Sequence, residues 1–237
     1  MPSLLVFGAR NLGRTIAHHH AAKGWDVAAV ARSEPTLERI ASEVPGALTI
    51  RADAVTPADV ERAFTAARER FGGIDLVVSA ISPSLQGPIG GGDIAAGGPE
   101  ALDPYLKVLL PALVNVVTIG SRALKEQGNG TLVLVTGGSA RRGMAGRGPW
   151  ATVAFASRGL IQAVASELRE HGVHAALLIV DATIESEKTA ERLAGKPDEL
   201  STTEEDVARA VDYLASQSPR GWTHELQLTP RGDRWVP

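Results

Sequence analysis

The sequence predicts an α/β fold in which a doubly wound parallel sheet carries helices on both faces within a single domain. Short apolar runs rich in β-branched residues alternate with longer amphipathic stretches along all 237 residues. The apolar runs lack the alternation of half-exposed strands, which is typical of parallel strands covered on both faces. Right-handed crossovers through the helices then give the doubly wound arrangement. Since neither a Pro- or Ser-rich linker nor a repeat divides the chain, we expect one domain over 1–237.

Residues that start or end helices set the limits of each element. Ser33 and Thr56 precede helices that open with proline, and Ser201 or Thr202 is expected to cap the last helix. The predicted strands span residues 4–7, 26–31, 47–51, 74–79, 131–136, 173–180 and 223–228. The predicted helices span residues 12–24, 34–44, 57–71, 103–125, 150–171 and 201–216.

Two longer segments lie between these elements. Residues 83–99 contain six glycines and are predicted to form a flexible loop or a partly ordered lid. Residues 181–202, between the last two strands, are predicted to form a lid on the substrate side.

Composition excludes several classes of protein. The chain is 44% hydrophobic and 22% charged, which is typical of a globular domain. A net charge of −3 argues against a nucleic-acid partner, and the absence of cysteine excludes disulfides and thiolate chemistry. Because there is no run of 18 apolar residues, we expect no membrane span. The first residues lack the features of a signal peptide, so we expect a cytoplasmic protein.

A glycine-containing turn follows the first strand. Gly8 and Gly13 stand between the strand and a predicted helix N-terminus, whose free N–H groups and positive dipole end suit a pyrophosphate. A P-loop also fits Gly8, Gly13 and Thr15, but it requires lysine where this chain has Arg14. A tight turn that binds nothing is a third interpretation.

Five segments resemble the short-chain dehydrogenase/reductases in order and spacing over nearly the whole chain. They are FGARNLGRTIA, ADAVTPADV, IDLVVSAIS, GNGTLVLVTGG and SELREHGVHAALLIVDATIES. The first is similar to the family's glycine turn with its middle glycine missing. The resemblance implies a Rossmann-like fold that binds NAD or NADP, a small-molecule substrate, and a homodimer or homotetramer built through the helices at 103–127 and 150–171.

The resemblance also assigns residues to the cofactor. It places the adenine near Asp53, and it puts residues 79–82 where the family has its Asn-Asn-Ala-Gly strand end. The expected cofactor residues are Gly8, Arg10, Asn11, Leu12, Gly13, Arg32, Ser33, Asp53, Ala54, Ala80 and Ile81.

NADP is predicted in preference to NAD from charge. NAD enzymes of this fold usually hold the ribose diol with an acid at the end of the second strand, but here that position reads Ala31-Arg32-Ser33. Arg10 and Arg32 with the Ser33 hydroxyl suit a 2′-phosphate, because guanidinium groups bind phosphate bidentately. The alternative is that both arginines are solvated surface charges.

The family's proton-transfer residues are missing. Relatives use a Tyr, a Lys four residues later, a Ser about thirteen residues earlier, and an Asn on the preceding helix. Neither Tyr105 nor Tyr213 has a lysine four residues on. An ungapped match places Gly137 at the Ser position, Trp150 at the Tyr position and Ala154 at the Lys position. Loss of a general acid/base costs about 10²–10⁴ in rate.

Two further interpretations of this region stay open. A rival register, which needs four inserted residues, puts Ala154 at the Tyr position and Arg158 at the Lys position. Trp150 is either a stacking platform or a core aromatic.

Replacement groups are available in the loop after the fifth strand. Ser139 is a candidate hydrogen-bond donor, and Arg141, Arg142 or Arg147 are candidates to stabilise an oxyanion or to bind an acidic substrate. The alternative is that these arginines are solvated. No metal is expected, because His18, His19 and His20 follow one another in a helix and point about 100° apart.

Three functions fit these observations. The first is an atypical NADP-dependent oxidoreductase acting on a small carbonyl or hydroxy compound. The second is a non-redox cyclase or dehydratase on the same scaffold. The third is a catalytically silent NADP-binding protein. The fold alone does not choose between them.

Overall fold

The computed structural model describes residues 1–82 and 90–235, in which a seven-stranded parallel sheet lies between two layers of helices. The strands are β1 Ser3–Phe7, β2 Asp26–Ala31, β3 Leu48–Arg51, β4 Leu76–Ser79, β5 Gly130–Gly137, β6 Val173–Val180, β7 Thr183–Ile184, β8 Ser201–Thr202 and β9 Glu225–Leu228. The helices are α1 Leu12–Ala22, α2 Glu34–Glu43, α3 Pro57–Phe71, α4 Ile94–Gly97, α5 Leu110–Gln127, α6 Gly148–Leu168, α7 Ala190–Leu193 and α8 Glu204–Ala215. This confirms the predicted doubly wound, Rossmann-like α/β fold in a single domain.

The strand order creates a crevice at one edge of the sheet. The order is β3-β2-β1-β4-β5-β6-β9, so the chain direction across the sheet reverses between β1 and β4. Phe7 at the end of β1 pairs with Val30 of β2 on one side and with Ser79 of β4 on the other. Ligands of such sheets bind beyond the carboxyl ends of the strands at this reversal. The turns after β1, β2 and β4 therefore meet at one place.

The uninterrupted apolar strands are explained by a core on each face. In β1, Leu5 and Phe7 pack with α3, α5 and α6, whereas Leu4 and Val6 pack with α1, α2 and α8. Both sets are almost completely buried. A strand covered on both faces gains from apolar residues at every position, which is why no alternation appears in the sequence.

Two predicted helix starts are corrected, and one predicted cap makes no side-chain hydrogen bond. The last helix begins at Glu204, because Thr203 forms a capping box with Asp206 while Ser201 and Thr202 belong to β8. Ser33 occupies the N-cap position of α2, but its side chain does not bond to the first turn. The helix predicted from residue 103 begins as a π-helical segment, Pro104–Leu109, before α5.

The two longer segments between the main elements, 83–99 and 181–202, contain regular structure where the structure describes them. Residues 83–89 lie outside the described residues. From Gly90 onward the segment packs on the start of α6: Gly92 donates to the carbonyl of Gly146 at 3.0 Å and forms a bridge with Arg147. The segment 181–202 contains α7 and the short parallel pair β7–β8.

One helical stretch bears on the expectation that no segment spans a membrane. Pro99–Gln127 is long and apolar enough to cross a membrane by length and composition alone, with a mean hydropathy of 1.4 over a window that is 39% buried. Counting uninterrupted apolar residues missed it. The inner face of α5 packs in the core with α3 and α6, as expected of a helix in a layered domain.

Candidate active site: a nucleotide pocket joined to a central cavity

The turn after β1 depends on two glycines. Gly8 has a φ of 84°, and a Cβ there would lie 2.6 Å from the carbonyl oxygen of Ala80. A Cβ on Gly13 would lie 2.6 Å from the carbonyl oxygen of Gly8. Asn11 is the N-cap residue of α1, and Leu12 is the first helical residue. The Asn11 side chain makes no bond to the first turn, so the N-terminal end of α1 faces the crevice uncapped.

The contacts of Arg14 argue against the P-loop interpretation. Its Nη1 donates to Oε2 of Glu43 on α2 at 2.8 Å, and Arg14 is absent from the described wall of the crevice. A P-loop needs the cation at this position to reach the phosphates. The geometry therefore favours the dinucleotide turn.

The nucleotide pocket, as we name it, is a recess of about 170 Å³ beyond the ends of β1, β2 and β3. Its wall includes the predicted residues Arg10, Arg32, Ser33, Asp53, Ala54 and Ile81. The Arg32 guanidinium lies 3.8 Å from Asp53 Oδ2, and both side chains are substantially exposed. The pocket thus brings two arginines and one hydroxyl to the end of β2.

Asn115 has a structural role that the sequence did not indicate. Its Nδ2 donates to the carbonyl oxygens of Ala54 and Val55 at 2.9 and 3.0 Å. Asp53 Oδ1 accepts from the Val55 N–H at 3.1 Å. Together these bonds fix the turn after β3, which forms the floor of the nucleotide pocket.

The central cavity, of about 470 Å³, continues from the nucleotide pocket. The two share Gly8, Arg10, Ile81 and Ser82, so they form one crevice. Asn11, Leu12 and Ala80 also line the cavity. Beyond them its wall is formed by the end of β5, the start of α6 and the segment 181–202. This volume lies within the usual range for small-molecule sites.

Trp150 and Gly137 lie next to each other in the wall of this cavity. A Cβ on Gly137 would lie 3.3 Å from the indole Nε1 of Trp150. Ala154, one turn further along α6, is buried. In contrast, Arg158 is off the described wall and donates to Glu225 at 2.7 and 2.8 Å. The geometry favours the ungapped register, in which an indole stands at the Tyr position.

Of the four candidate replacements on the loop after β5, only Arg147 lines the cavity. Ser139 is completely buried, and its Oγ has no hydrogen-bond partner among the described residues. Arg141 donates to Glu225 at 3.2 Å, and Arg142 binds Asp181 through two bonds of 2.6 and 3.2 Å. None of the three is part of the described wall. Their placement therefore does not support the proposed contact with substrate.

Tyr105 is a cavity residue that the motif search passed over. It lies on the π-helical segment before α5, and its ring meets that of Trp150 edge-on with centroids 6.3 Å apart. Burial raises the pKa of Tyr105, so the phenol stays protonated near neutral pH. It can therefore donate a hydrogen bond into the cavity, but it is a poor base.

Three cations of the cavity wall come from two separate segments. Arg147 precedes α6, whereas Lys188 and Arg192 lie on the segment 181–202. Burial lowers the pKa of Lys188, and the nearby charge of Arg10 lowers it further. The sequence placed 181–202 on the substrate side but gave no reason to select these two residues.

The three consecutive histidines point to different partners. His18 lies 3.2 Å from Glu43 and His19 lies 2.7 Å from Glu205. His20 is buried against Ile16 and Trp25. Within the described ranges, no group of three or more His, Asp or Glu side chains is arranged to hold a metal ion.

Comparison with known proteins gives a consistent family. A family model described as short chain dehydrogenase matches residues 3–195. An L-2,3-butanediol dehydrogenase from Corynebacterium glutamicum is 27% identical over 259 aligned positions that cover 97% of both chains. The putative ketoacyl reductase 2 of the granaticin polyketide synthase from Streptomyces violaceoruber is 31% identical over 137 residues. That match covers 57% of this chain and 54% of the relative.

Solved structures agree on the fold. An alcohol dehydrogenase from the archaeon Thermococcus sibiricus, complexed with 5-hydroxy-NADP, has a TM-score of 0.84 at 24% identity, with complete coverage of both chains. A levodione reductase has a TM-score of 0.82 at 23% identity, covering 97% of this chain and 96% of the other.

Proposed function

Because the chain belongs to the short-chain dehydrogenase family, we propose that it is an NADP-dependent oxidoreductase acting on a small carbonyl or hydroxy compound. The proposal includes the loss of the family's Ser, Tyr and Lys, whose positions are taken by Gly137, Trp150 and Ala154. The observation that carries the cofactor assignment is the nucleotide pocket, in which Arg10, Arg32 and Ser33 line the space beyond β2.

The residues present fit a phosphorylated dinucleotide. The two guanidinium groups and the hydroxyl would bind a 2′-phosphate, and the uncapped start of α1 would bind the pyrophosphate. The one acid in the described wall of this pocket, Asp53, follows β3 and is 3.8 Å from Arg32. It therefore leaves the end of β2 without the carboxylate that usually holds the ribose diol of NAD.

The cavity residues would position a substrate rather than transfer a proton to it or from it. A reduced nicotinamide bound here would supply the hydride, and the substrate oxygen would take its proton from solvent water. Tyr105 donates a hydrogen bond as a neutral phenol, and the Trp150 indole offers a flat apolar surface beside it. Proximity and orientation alone support slow reduction of an activated carbonyl.

Calorimetric titration tests the cofactor assignment. We expect NADPH to bind at least about tenfold more tightly than NADH, because a charge-assisted contact contributes about 1.5–3 kcal/mol. The double variant Arg32→Ala/Ser33→Ala should lose this preference, because it weakens the binding of NADPH and leaves the binding of NADH unchanged. Arg122→Ala is the matched control, since Arg122 is exposed and pairs with Glu61 on α3. Equal binding of the two cofactors by the wild type would overturn the assignment.

A catalytically silent NADP-binding protein is the second candidate. The observation that favours it is the indole of Trp150, which lies against Gly137. In the ungapped register this indole takes the place of the tyrosine of the family's proton-transfer pair. NADPH binding without NADPH consumption across a panel of carbonyl compounds would support it. A product formed without net cofactor change would instead indicate a cyclase or dehydratase.

We also propose a cytoplasmic homodimer or homotetramer. Leu106, Val108 and Phe155 are large apolar side chains exposed next to or on α5 and α6, and a second copy packed on this face would cover them. Sedimentation velocity should give a dimer or larger, and Phe155→Glu should shift the protein toward monomer. A wild-type monomer at micromolar concentration would refute the proposal.

A further inference from the structure

The central cavity is cationic, although the chain as a whole is acidic. In the described part of its wall, four cations, Arg10, Arg147, Lys188 and Arg192, stand against one carboxylate, Glu204. That carboxylate accepts a hydrogen bond from Thr15. Residues 83–89 contain no ionisable side chain and leave this balance unchanged, while the whole chain has a net charge of −3. The positive potential therefore belongs to the cavity.

Two of these cations lie on the cofactor side. Arg10 lines both the nucleotide pocket and the central cavity, and Lys188 is close enough to Arg10 for its pKa to be lowered by that charge. Under the proposed function, on which this inference rests, cofactor phosphates neutralise this pair. Arg147 and Arg192 remain for another anion.

Arg147 stands in an environment that favours an anionic ligand. It is the N-cap residue of the 21-residue helix α6, where the helix dipole disfavours a cation. Within residues 1–82 and 90–235, its guanidinium makes no hydrogen bond or ion pair of its own. Burial lowers the pKa of Arg147, the charge of Arg192 lowers it further, and Asp181 opposes this while binding Arg142.

The Arg147 side chain is also held in place. A Cβ on Gly90 would lie 2.6 Å from the Cγ of Arg147, so the Gly90 backbone packs directly on the stem of the side chain. Gly90 has a φ of 89°, which favours glycine at this position. On the opposite wall, Nη2 of Arg192 donates to Thr183 Oγ1 at 2.7 Å, which orients the second guanidinium.

We infer that Arg147, with Arg192, binds a carboxylate of the substrate, which makes the substrate a small carbonyl compound bearing an acid group. A planar guanidinium binds a carboxylate through two parallel hydrogen bonds. Such binding would neutralise the unpaired charge at the start of α6. It would also hold the carbonyl end of the substrate in the same cavity as Trp150 and Tyr105.

The test is calorimetric titration of the NADPH complex with 2-oxobutanoate, 3-oxobutanoate and 4-oxopentanoate, each against its neutral amide. At least one acid should bind about tenfold or more tightly than its amide. Arg147→Gln should abolish that difference and Arg147→Lys should retain part of it. Arg122→Gln should leave it unchanged.

The outcomes separate this inference from the proposed function. The affinity for NADPH alone is measured first and should be the same in the wild type and in Arg147→Gln, which also shows that the variant is folded. If the wild type does not bind NADPH, the proposed function fails. If NADPH binds but no acid is preferred to its amide, or the preference survives in Arg147→Gln, the carboxylate site is wrong.

Discussion

On the side of β1 to β3, the crevice is lined by residues that the sequence predicts for the cofactor, whereas on the side of β5 and β6 the ungapped register puts other residues at the family's catalytic positions. Gly8 and Gly13 permit the close turn, and Arg32 lines the pocket beyond β2. Across the crevice, Gly137 and Trp150 face each other, and the ungapped register assigns them to the Ser and Tyr positions. The binding part and the reacting part of one crevice can therefore change independently.

Restoring the catalytic side gives the largest expected effect. The triple variant Gly137→Ser/Trp150→Tyr/Ala154→Lys returns a phenol and an ammonium to the positions that the ungapped register assigns. If the nucleotide side is intact, carbonyl reduction should rise by about 10²–10⁴. The measurement is NADPH consumption at 340 nm with the best substrate of the carbonyl panel.

A matched triple variant controls for the change in cavity shape. It has Trp150→Phe in place of Trp150→Tyr and so lacks only the hydroxyl. It should stay near the wild-type rate. Equal gains in both variants would show that space rather than proton transfer limits the reaction. No gain in either, with NADPH binding intact, would contradict the ungapped register.

A second test adds one methyl group to a glycine on each side of the crevice and compares the loss of stability. The expected effects are smaller than those of the triple variant. In Gly8→Ala, the alanine has to adopt a positive φ, and its Cβ lies 2.6 Å from a backbone carbonyl oxygen. This variant should lose roughly 2–5 kcal/mol of stability and bind NADPH more weakly. Gly137→Ala places Cβ 3.3 Å from the Trp150 indole, which belongs to a side chain that can shift. It should cost at most about 1 kcal/mol.

Thermal melts and calorimetry measure both effects on the same samples. A Gly137→Ala cost as large as that of Gly8→Ala would mean that the catalytic side is as constrained as the nucleotide side. The comparison between the two sides would then fail.

The fold was predictable because its signals are local. Strands buried on both faces need uninterrupted apolar runs, and β2 and β6 have the predicted limits for this reason. Helix starts were less predictable where candidates crowd together. Ser201, Thr202 and Thr203 are all good N-cap residues, and the choice depends on Asp206 three residues after Thr203.

The site was predictable only where sequence neighbours form it. The turn residues Gly8 to Gly13 come from one short segment, and all of them except Gly13 belong to the described wall of the crevice. Arg147 and Arg192 are 45 residues apart, and their convergence depends on the packing of the segment 181–202 over α6. Tyr105 was set aside because its motif context is wrong, although its position in the cavity does not depend on a motif.

Neighbouring residues at the ends of β5 and β6 match their contact partners in size and charge. Gly137 leaves room for the Trp150 indole on the facing helix. At the next position, a Cβ on Gly138 would lie 1.9 Å from Oδ1 of Asp181, so this glycine leaves room for the carboxylate that follows β6. Asp181 in turn binds Arg142 through two hydrogen bonds. These three contacts pack the ends of β5 and β6 and the start of α6 against one another. Under the proposed function they hold this part of the cavity wall in one shape, as a substrate site requires.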